Sequence, residues 1–136
     1  MISFSGCGYF LAGTWEDDPD NWERAFGSEK PTFVSIIHSK YWRSPHFTYE
    51  FQYFFSFKKN QQFLDVLIRN DLIQVYGKRA SEAKKDTRHE APEWFAPKAA
   101  NMYRVYILKD ADVNWIQYII LIDKNTGTIF MSDISL

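Results

Sequence analysis

Cys7 is the one side chain of this sequence that could act as a thiolate nucleophile. It lies between Gly6 and Gly8, and a neighbouring histidine or a helix N-terminus could activate it. The three histidines are scattered along the chain, so the spacing brings none of them beside Cys7. We therefore interpret Cys7 as a buried structural cysteine. A single cysteine also excludes an internal disulfide and a multi-cysteine metal site.

His46 begins the tripeptide His46-Phe47-Thr48, which matches half of the paired His-x-Thr pattern of two-histidine phosphoesterases. Those enzymes need two such tripeptides, with one histidine as base and the other as acid. His38 is followed directly by serine and His89 by glutamate, so neither supplies the second tripeptide. We interpret His46 as a histidine at the entrance of a strand, and we predict no catalytic residues.

Five acidic residues lie close together in the N-terminal part and could offer oxygen ligands to Mg²⁺ or Ca²⁺. Their spacing does not match an EF-hand loop, and the start of a helix explains two of them. We predict no metal and no other cofactor. Two interpretations stay open, an acidic patch that binds a basic partner and a plain solvated face. The five residues are Glu16, Asp17, Asp18, Asp20 and Glu23.

The aromatic content indicates that some rings reach the surface. Phe, Tyr and Trp make up 18% of the chain, and a protein of 16.1 kDa has limited interior volume. Exposed rings bring a large contact area with few rotors to freeze. Trp94 and Phe95 stand between Pro92 and Pro97, where a stiffened loop loses little entropy on binding. The alternative is that this loop folds back and fills the core with its own rings.

Tyr41, Trp42 and Arg43 directly precede Ser44-Pro45, a pattern that predicts an exposed turn. Because Tyr, Trp and Arg dominate the energetics of protein interfaces, this turn is a second candidate contact site. A purely structural role is the alternative. Together with the loop and the acidic cluster, these segments yield the predicted partner-binding residues: Trp94, Phe95, Trp42, Arg43, Asp17, Asp18 and Asp20.

The charge balance excludes several classes of protein. The net charge is -1 and the isoelectric point is about 6.3, so there is no global basic field to bind nucleic acid or an anionic membrane. Basic residues do concentrate between 78 and 88 near Trp94, which keeps single-stranded nucleic acid as a lesser alternative. No apolar stretch approaches the roughly 20 residues of a membrane helix, and no signal-peptide pattern is recognisable. We expect a cytoplasmic protein.

Several helices and strands can be predicted from the residues at their ends and from the periodicity of apolar side chains. Residues 18–27 indicate a short helix with Pro19 at its first position, and residues 60–76 a longer helix with an apolar stripe. Residues 78–100 show no apolar periodicity and are predicted to be a loop. Strands are predicted near residues 1–14, 32–39, 46–57, 103–109, 114–123 and 128–134, with 32–39 equally compatible with a helix.

Short turns between successive strands predict a mainly antiparallel sheet. We therefore expect a single α+β domain over residues 1–136, with about five to six strands and two helices packed against them. The strict period of two over 46–57 makes that strand the clearest element.

The function predicted first is a protein-binding module without catalysis. It would be a small stoichiometric inhibitor or immunity-type protein that blocks a partner protein, such as a toxin or an enzyme. The alternative is a small-molecule pocket, or a small enzyme, built on the sheet lined with Phe and Tyr. A nucleic-acid-associated protein is a lesser alternative, and a homo-oligomer assembled through the aromatic residues stays open.

Overall fold

The computed structural model describes residues 12–45, 50–86, 91–111 and 116–135, and its framework is one antiparallel sheet. Seven strands lie in the spatial order first, second, third, seventh, sixth, fifth, fourth, and every neighbouring pair is antiparallel. They are β1 (Gly13–Glu16), β2 (Ile36–Arg43), β3 (Phe51–Phe57), β4 (Leu72–Val75), β5 (Tyr103–Leu108), β6 (Tyr118–Asp123) and β7 (Ile129–Ser135).

Three α-helices accompany the sheet: α1 (Asn21–Phe26), α2 (Gln61–Leu67) and α3 (Gly77–Asp86). A short 3₁₀ turn, Ala100–Met102, leads into β5. The predicted antiparallel sheet with helices packed against it is confirmed. The predicted number of five to six strands is wrong, because the sheet has seven, and a third helix joins the two that were predicted.

The helix predicted over 60–76 is two elements, and this accounts for one of the extra strands. α2 ends at Leu67, and the backbone turns so that the Leu72 amide donates to the Arg69 carbonyl at 3.1 Å. Leu72 then begins β4, which pairs with β5. Asn70 and Asp71 favour this turn over a continuing helix, and β-branched side chains follow it.

Residues 77–86, predicted as loop, form α3 instead. Ala, Lys, Arg and Glu lose little free energy in a helix, so the segment can be helical without a wide apolar stripe. Its buried face needs only two small apolar side chains and the stem of one lysine, since Ala80, Ala83 and Lys84 are the residues that lie against the sheet.

Tyr41, Trp42 and Arg43 lie inside β2, so the exposed turn predicted for them is wrong. The strand predicted over 32–39 is confirmed as a strand but begins at Ile36 and runs to Arg43. A bulge between Ile36 and His38 shifts the pairing with β3. The strand predicted over 46–57 appears as β3, while residues 46–49 lie outside the described residues, as do most of 1–14 and residues 112–115.

Alternation along the strands gives the sheet two buried faces. The first face is covered by α1 and α2, which pack Trp22 and Phe63 onto Phe55 and Phe57 of β3. The second face is covered by α3 and residues 91–98, where Phe95 lies against Phe54. Because both faces are covered, central strands such as β6 are apolar on both sides.

The β6–β7 turn is closed around one buried carboxylate. Asp123 Oδ1 accepts hydrogen bonds from the amides of Asn125 and Thr126 at 2.8 and 3.0 Å. Its Oδ2 lies 2.7 Å from Lys98 Nζ, which ties the end of the 91–98 segment to the sheet. Gly127 completes the turn with φ of 76°, and a Cβ there would meet the Lys59 side chain at 2.6 Å.

Candidate ligand-binding cleft

A cleft of about 510 Å³ opens on the first face, between the two short helices and the sheet. Its volume falls within the range of small-molecule sites in proteins. Its wall is mainly aromatic and aliphatic, with a few polar groups on one side. The lining residues are Trp22 and Phe26 of α1; Phe63, Val66 and Leu67 of α2; Arg69; and Tyr53, Leu108, Gln117, Tyr118, Met131 and Asp133 from the sheet side.

The aromatic wall follows from period two in β3 and helical spacing in α1. Tyr53 and Phe55 point to the first face from alternate positions of β3. Trp22 and Phe26 are four apart in α1, so their rings lie on one side of the helix with centroids 4.3 Å apart. Phe26 then meets Tyr53 edge-on at 5.3 Å, which joins the helix and the sheet at the cleft.

α1 is held over the sheet by a buried asparagine. The Asn21 amide nitrogen donates to Ser39 Oγ at 2.9 Å and to the Trp15 carbonyl at 3.1 Å. Asn21 has no exposed surface, so these bonds are protected from water. They fix the position of Trp22, the next residue, at the wall of the cleft.

Asp133 and Tyr53 form the polar side of the cleft. They are paired across β7 and β3, and the Tyr53 hydroxyl lies 3.4 Å from Asp133 Oδ2 as a long hydrogen bond. Tyr118 of β6 is opposite Asp133 in the register on the other side. One carboxyl group therefore lies between two tyrosines in a mainly apolar wall.

Burial changes the acidity of all three groups. It raises the pKa of Asp133, and hydrogen bonds from Tyr53, the Ile134 amide and Gln117 only partly oppose this effect. Burial also raises the pKa of Tyr118, to about 12. The pKa of Tyr53 rises further, through burial first and then through the negative charge of Asp133. Both tyrosines are thus hydroxyl groups, not phenolates, at neutral pH.

Two buried polar atoms of the cleft residues have no partner within hydrogen-bonding geometry, Trp22 Nε1 and Asp133 Oδ1. The first is a donor and the second an acceptor. Buried polar atoms of this kind are rare in folded proteins. The Trp22 side chain is more than nine-tenths buried.

At the rim of the cleft, the charges of Arg69 and Asp71 offset each other. Arg69 Nη2 lies 3.2 Å from Asp71 Oδ2, and both side chains are more than half exposed. The charges of Arg69, Asp71 and Asp133 all act on the Tyr118 hydroxyl. Arg69 and Asp133 are the charged residues among those that line the cleft, and Asp71 lies beside Arg69 at the rim.

The predicted partner-binding residues lie elsewhere, and His38 brings two of them together. Asp17 Oδ1 lies 3.2 Å from His38 Nδ1, and the Trp94 ring stacks on the His38 ring with centroids 5.2 Å apart. About half of each of the Asp17 and His38 side chains is exposed, 56% and 44%. We call these three residues the Asp17–His38–Trp94 cluster.

Phe95 is placed differently from Trp94. It is 2% exposed and contacts Phe54 and Phe130 edge-on, so its ring belongs to the core of the second face. The alternative interpretation, in which the loop fills the core with its own rings, describes Phe95.

The other four predicted contact residues do not form one surface. Trp42 is partly buried within β2, and Arg43 donates to the Tyr41 hydroxyl at 3.2 Å on the first face. Asp18 pairs with Arg24 at 3.2 Å, while Asp20 is exposed at the start of α1. Their role in binding a partner stays a prediction.

The cleft residues were not predicted as a site. Asp133 lies in a segment predicted only as the last strand, and α2 was predicted to continue through the rim of the cleft at Arg69. A signal was present: a carboxylate inside an apolar strand implies a buried charge or a special partner. Cys7, His46 and His89, weighed as chemical candidates, lie outside the described residues.

Among the residues that the structure describes, no three His, Cys, Asp or Glu side chains are grouped to hold a metal ion. No helix in this described part is long and apolar enough to cross a membrane. Comparison with known proteins adds no assignment, since no family model matches the chain and no curated protein or solved structure is significantly similar to it.

Proposed function

We propose that this protein binds a small, largely apolar molecule in the cleft between α1, α2 and the sheet. The observation that carries the proposal is an aromatic cleft of about 510 Å³ whose wall contains one carboxyl group, that of Asp133, between Tyr53 and Tyr118. Sites for small molecules combine these features, with an apolar lining for affinity and a few polar groups for orientation.

The cleft also contains the Asp133 carboxyl group, whose pKa is raised by burial. A carboxyl group with a raised pKa inside an apolar cleft is a frequent mark of a functional site. The neighbouring tyrosines keep their protons at neutral pH, so the polar side of the cleft offers hydroxyl groups as well as a carboxyl group to a ligand.

Nuclear magnetic resonance with small aromatic probes tests the proposal. We would titrate phenol, indole and 2-phenylethylamine into ¹⁵N-labelled protein and follow backbone amide shifts. Shifts should concentrate on residues of the cleft, with dissociation constants in the micromolar to millimolar range. A set of probes that perturbs no cleft residue would contradict the proposal.

A pair of matched variants separates the cleft from general hydrophobic binding. Val66 lines the cleft and is 60% exposed, so Val66→Trp should fit without unfolding the core and should obstruct the cleft. Ile37→Trp makes a similar change at a position that is 42% exposed and outside the cleft lining. Probe binding should weaken in the first variant alone, and equal weakening in both would count against the site.

A protein partner is the second candidate function, as a stoichiometric inhibitor or immunity-type protein. It is favoured by one observation, that Trp94 and Asp17 are far apart in sequence but meet at His38, where about half of the Asp17 and His38 side chains is exposed. A tryptophan beside a charged group is typical of residues that dominate interface energetics.

Alanine scanning against a purified partner would test this second function. Trp94→Ala and Asp17→Ala should each weaken the complex by about 1–3 kcal/mol, and intact-complex mass spectrometry should find a fixed ratio. Trp42, Arg43, Asp18 and Asp20 complete the scan. Phe95→Ala shows what a loss of folding stability does to the complex, since removal of this buried ring should lower the free energy of unfolding by about 3–5 kcal/mol. Neutral results at all surface positions would dismiss this surface.

A further inference from the structure

We infer that the ligand of the cleft is a cationic amine, held by the Asp133 carboxylate inside the aromatic wall formed by Trp22, Tyr53 and Tyr118. This inference rests on the proposed function and names the chemical class of the ligand. It is drawn from the charged groups and the ring geometry of the cleft.

No basic residue that lines the cleft is paired with the Asp133 carboxylate. Arg69 is the one basic residue among those that line the cleft, and its guanidinium is engaged with Asp71 at the exposed rim. Asp133 therefore has hydrogen bonds from Tyr53, the Ile134 amide and Gln117 but no paired positive charge among the lining residues. A partly buried carboxylate without such a partner is costly, and an ammonium group would supply both a positive charge and hydrogen-bond donors.

The rings around Asp133 suit a cation as well as an apolar body. Trp22, Phe26 and Tyr53 follow one another at contact distance, with centroids 4.3 Å apart in the first pair and 5.3 Å in the second. Ring faces attract ammonium groups, most strongly for Trp and Tyr and when water is excluded. An anionic ligand would instead face the Asp133 carboxylate and a single arginine that is already paired with Asp71.

The raised pKa of Asp133 agrees with a site that binds a cation. Burial without a counter-ion disfavours the charged carboxylate, and a bound ammonium group would favour it again.

Three probes of similar size and different charge test the inference: 2-phenylethylamine, 2-phenylethanol and phenylacetate. Binding is measured by calorimetry and by amide shifts, on the wild type, on Asp133→Asn and on Glu93→Gln. Glu93 is an exposed carboxylate outside the cleft lining, so its variant controls for the loss of one negative charge. The melting temperature of each variant shows whether it is folded.

We expect the amine to bind about 10- to 100-fold more tightly than the alcohol, the range of a charge-assisted hydrogen bond. This preference should vanish in Asp133→Asn and persist in Glu93→Gln. Equal binding of amine and alcohol in the cleft, or a preference unchanged in Asp133→Asn, would overturn the amine and leave the ligand-binding proposal standing.

Two other results have distinct meanings. Tightest binding of phenylacetate would overturn the cationic ligand and transfer the recognition to Arg69. The absence of cleft shifts with all three probes would overturn both the amine and the proposed function.

Discussion

Asp123 and Asp133 show how the surroundings of a single carboxyl group decide its effect on folding. Asp123, at the end of β6, accepts two amide hydrogen bonds and pairs with Lys98. The ion pair with Lys98 is the main reason that its pKa is lowered. Asp133, in β7, is surrounded by rings, and burial raises its pKa. The two groups therefore respond to pH in opposite directions.

The first prediction compares Asp123→Asn with Asp133→Asn by urea unfolding between pH 3 and 8. A lowered folded-state pKa means that Asp123 stabilises the protein above its unfolded value near 3.8 and loses this effect as the pH falls through the folded pKa. Asp123→Asn should thus be destabilising at neutral pH, with a smaller difference in acid.

For Asp133 the sign is reversed. A raised folded-state pKa means that the native state binds the proton more tightly, so ionisation costs stability as the pH rises above 3.8. Asp133→Asn should be more stable than the wild type at neutral pH and equal to it in acid. A loss of stability at neutral pH would mean that the carboxylate is already paired in the free protein.

An Asp133→Asn protein that is more stable but no longer binds the ligand would also fit the proposed function. Binding groups are often kept at some cost to stability, because the site needs charges that the fold alone does not satisfy. Such a result would separate the role of Asp133 in binding from any role in folding.

At the scale of the elements, the two short helices begin in different ways. Asn60 caps α2, since its Oδ1 accepts from the Phe63 amide at 2.8 Å and its Nδ2 donates to the Phe33 carbonyl at 2.9 Å. Asp20 precedes α1 without a side-chain cap bond. Position before a helix is therefore not enough to identify a stabilising cap.

The second prediction is that Asn60→Ala lowers the free energy of unfolding by about 1.5–2.5 kcal/mol, because it removes a cap and a link to the preceding loop. Asp20→Ala should change it by about 0.5 kcal/mol or less. Chemical denaturation of both variants at pH 7 is the measurement. Equal effects would show that charge near the helix N-terminus outweighs the cap bonds.

The elements that sequence patterns predicted best are those with a strong period of their own. β3 alternates so regularly that its pairing partners matter little to the prediction. The short helix ends before Gly27, which adopts φ of 69°, as predicted, but it begins at Asn21, so the prediction of Pro19 at its first position is wrong. β4 was missed because Leu72 and Val75 also continue the apolar stripe of α2. Only pairing with β5 makes them a strand.

The candidate site was harder to predict because its residues come from distant segments. Trp22 and Asp133 were each visible in the sequence, as a helix residue and as a strand residue. Their shared cleft depends on β7 lying between β3 and β6, an order that local patterns do not specify. Two residues of the Asp17–His38–Trp94 cluster, Asp17 and Trp94, were predicted as contact residues, and His38 was not.

At the scale of the whole molecule, one sheet supports two separate cores. Adjacent residues of β3 belong to different faces, Phe54 to the second and Phe55 to the first. α1 and α2 on one side and α3 on the other depend on the same central strands. Loss of either core should therefore unfold the sheet that the other core requires, and the domain should unfold as one unit.

The third prediction tests this coupling with Phe63→Leu on the first face and Phe95→Leu on the second. Both rings are buried and share no aromatic contact, so each variant should lose about 1–2 kcal/mol and the double variant their sum within about 0.5 kcal/mol. Ile37→Ala, at a half-exposed position, is the control with a small effect.

Tryptophan fluorescence and far-ultraviolet circular dichroism should report the same unfolding midpoint in every variant of this series. Trp22 lies on the first face and Trp94 packs against Phe95 on the second, so the combined tryptophan fluorescence should follow the unfolding of both faces in every variant. Two separate transitions, or a dichroism midpoint that moves without the fluorescence midpoint, would show that the faces unfold independently. In that case α1 and α2 could open alone, and ligand binding in the cleft would stabilise the first face without protecting the second.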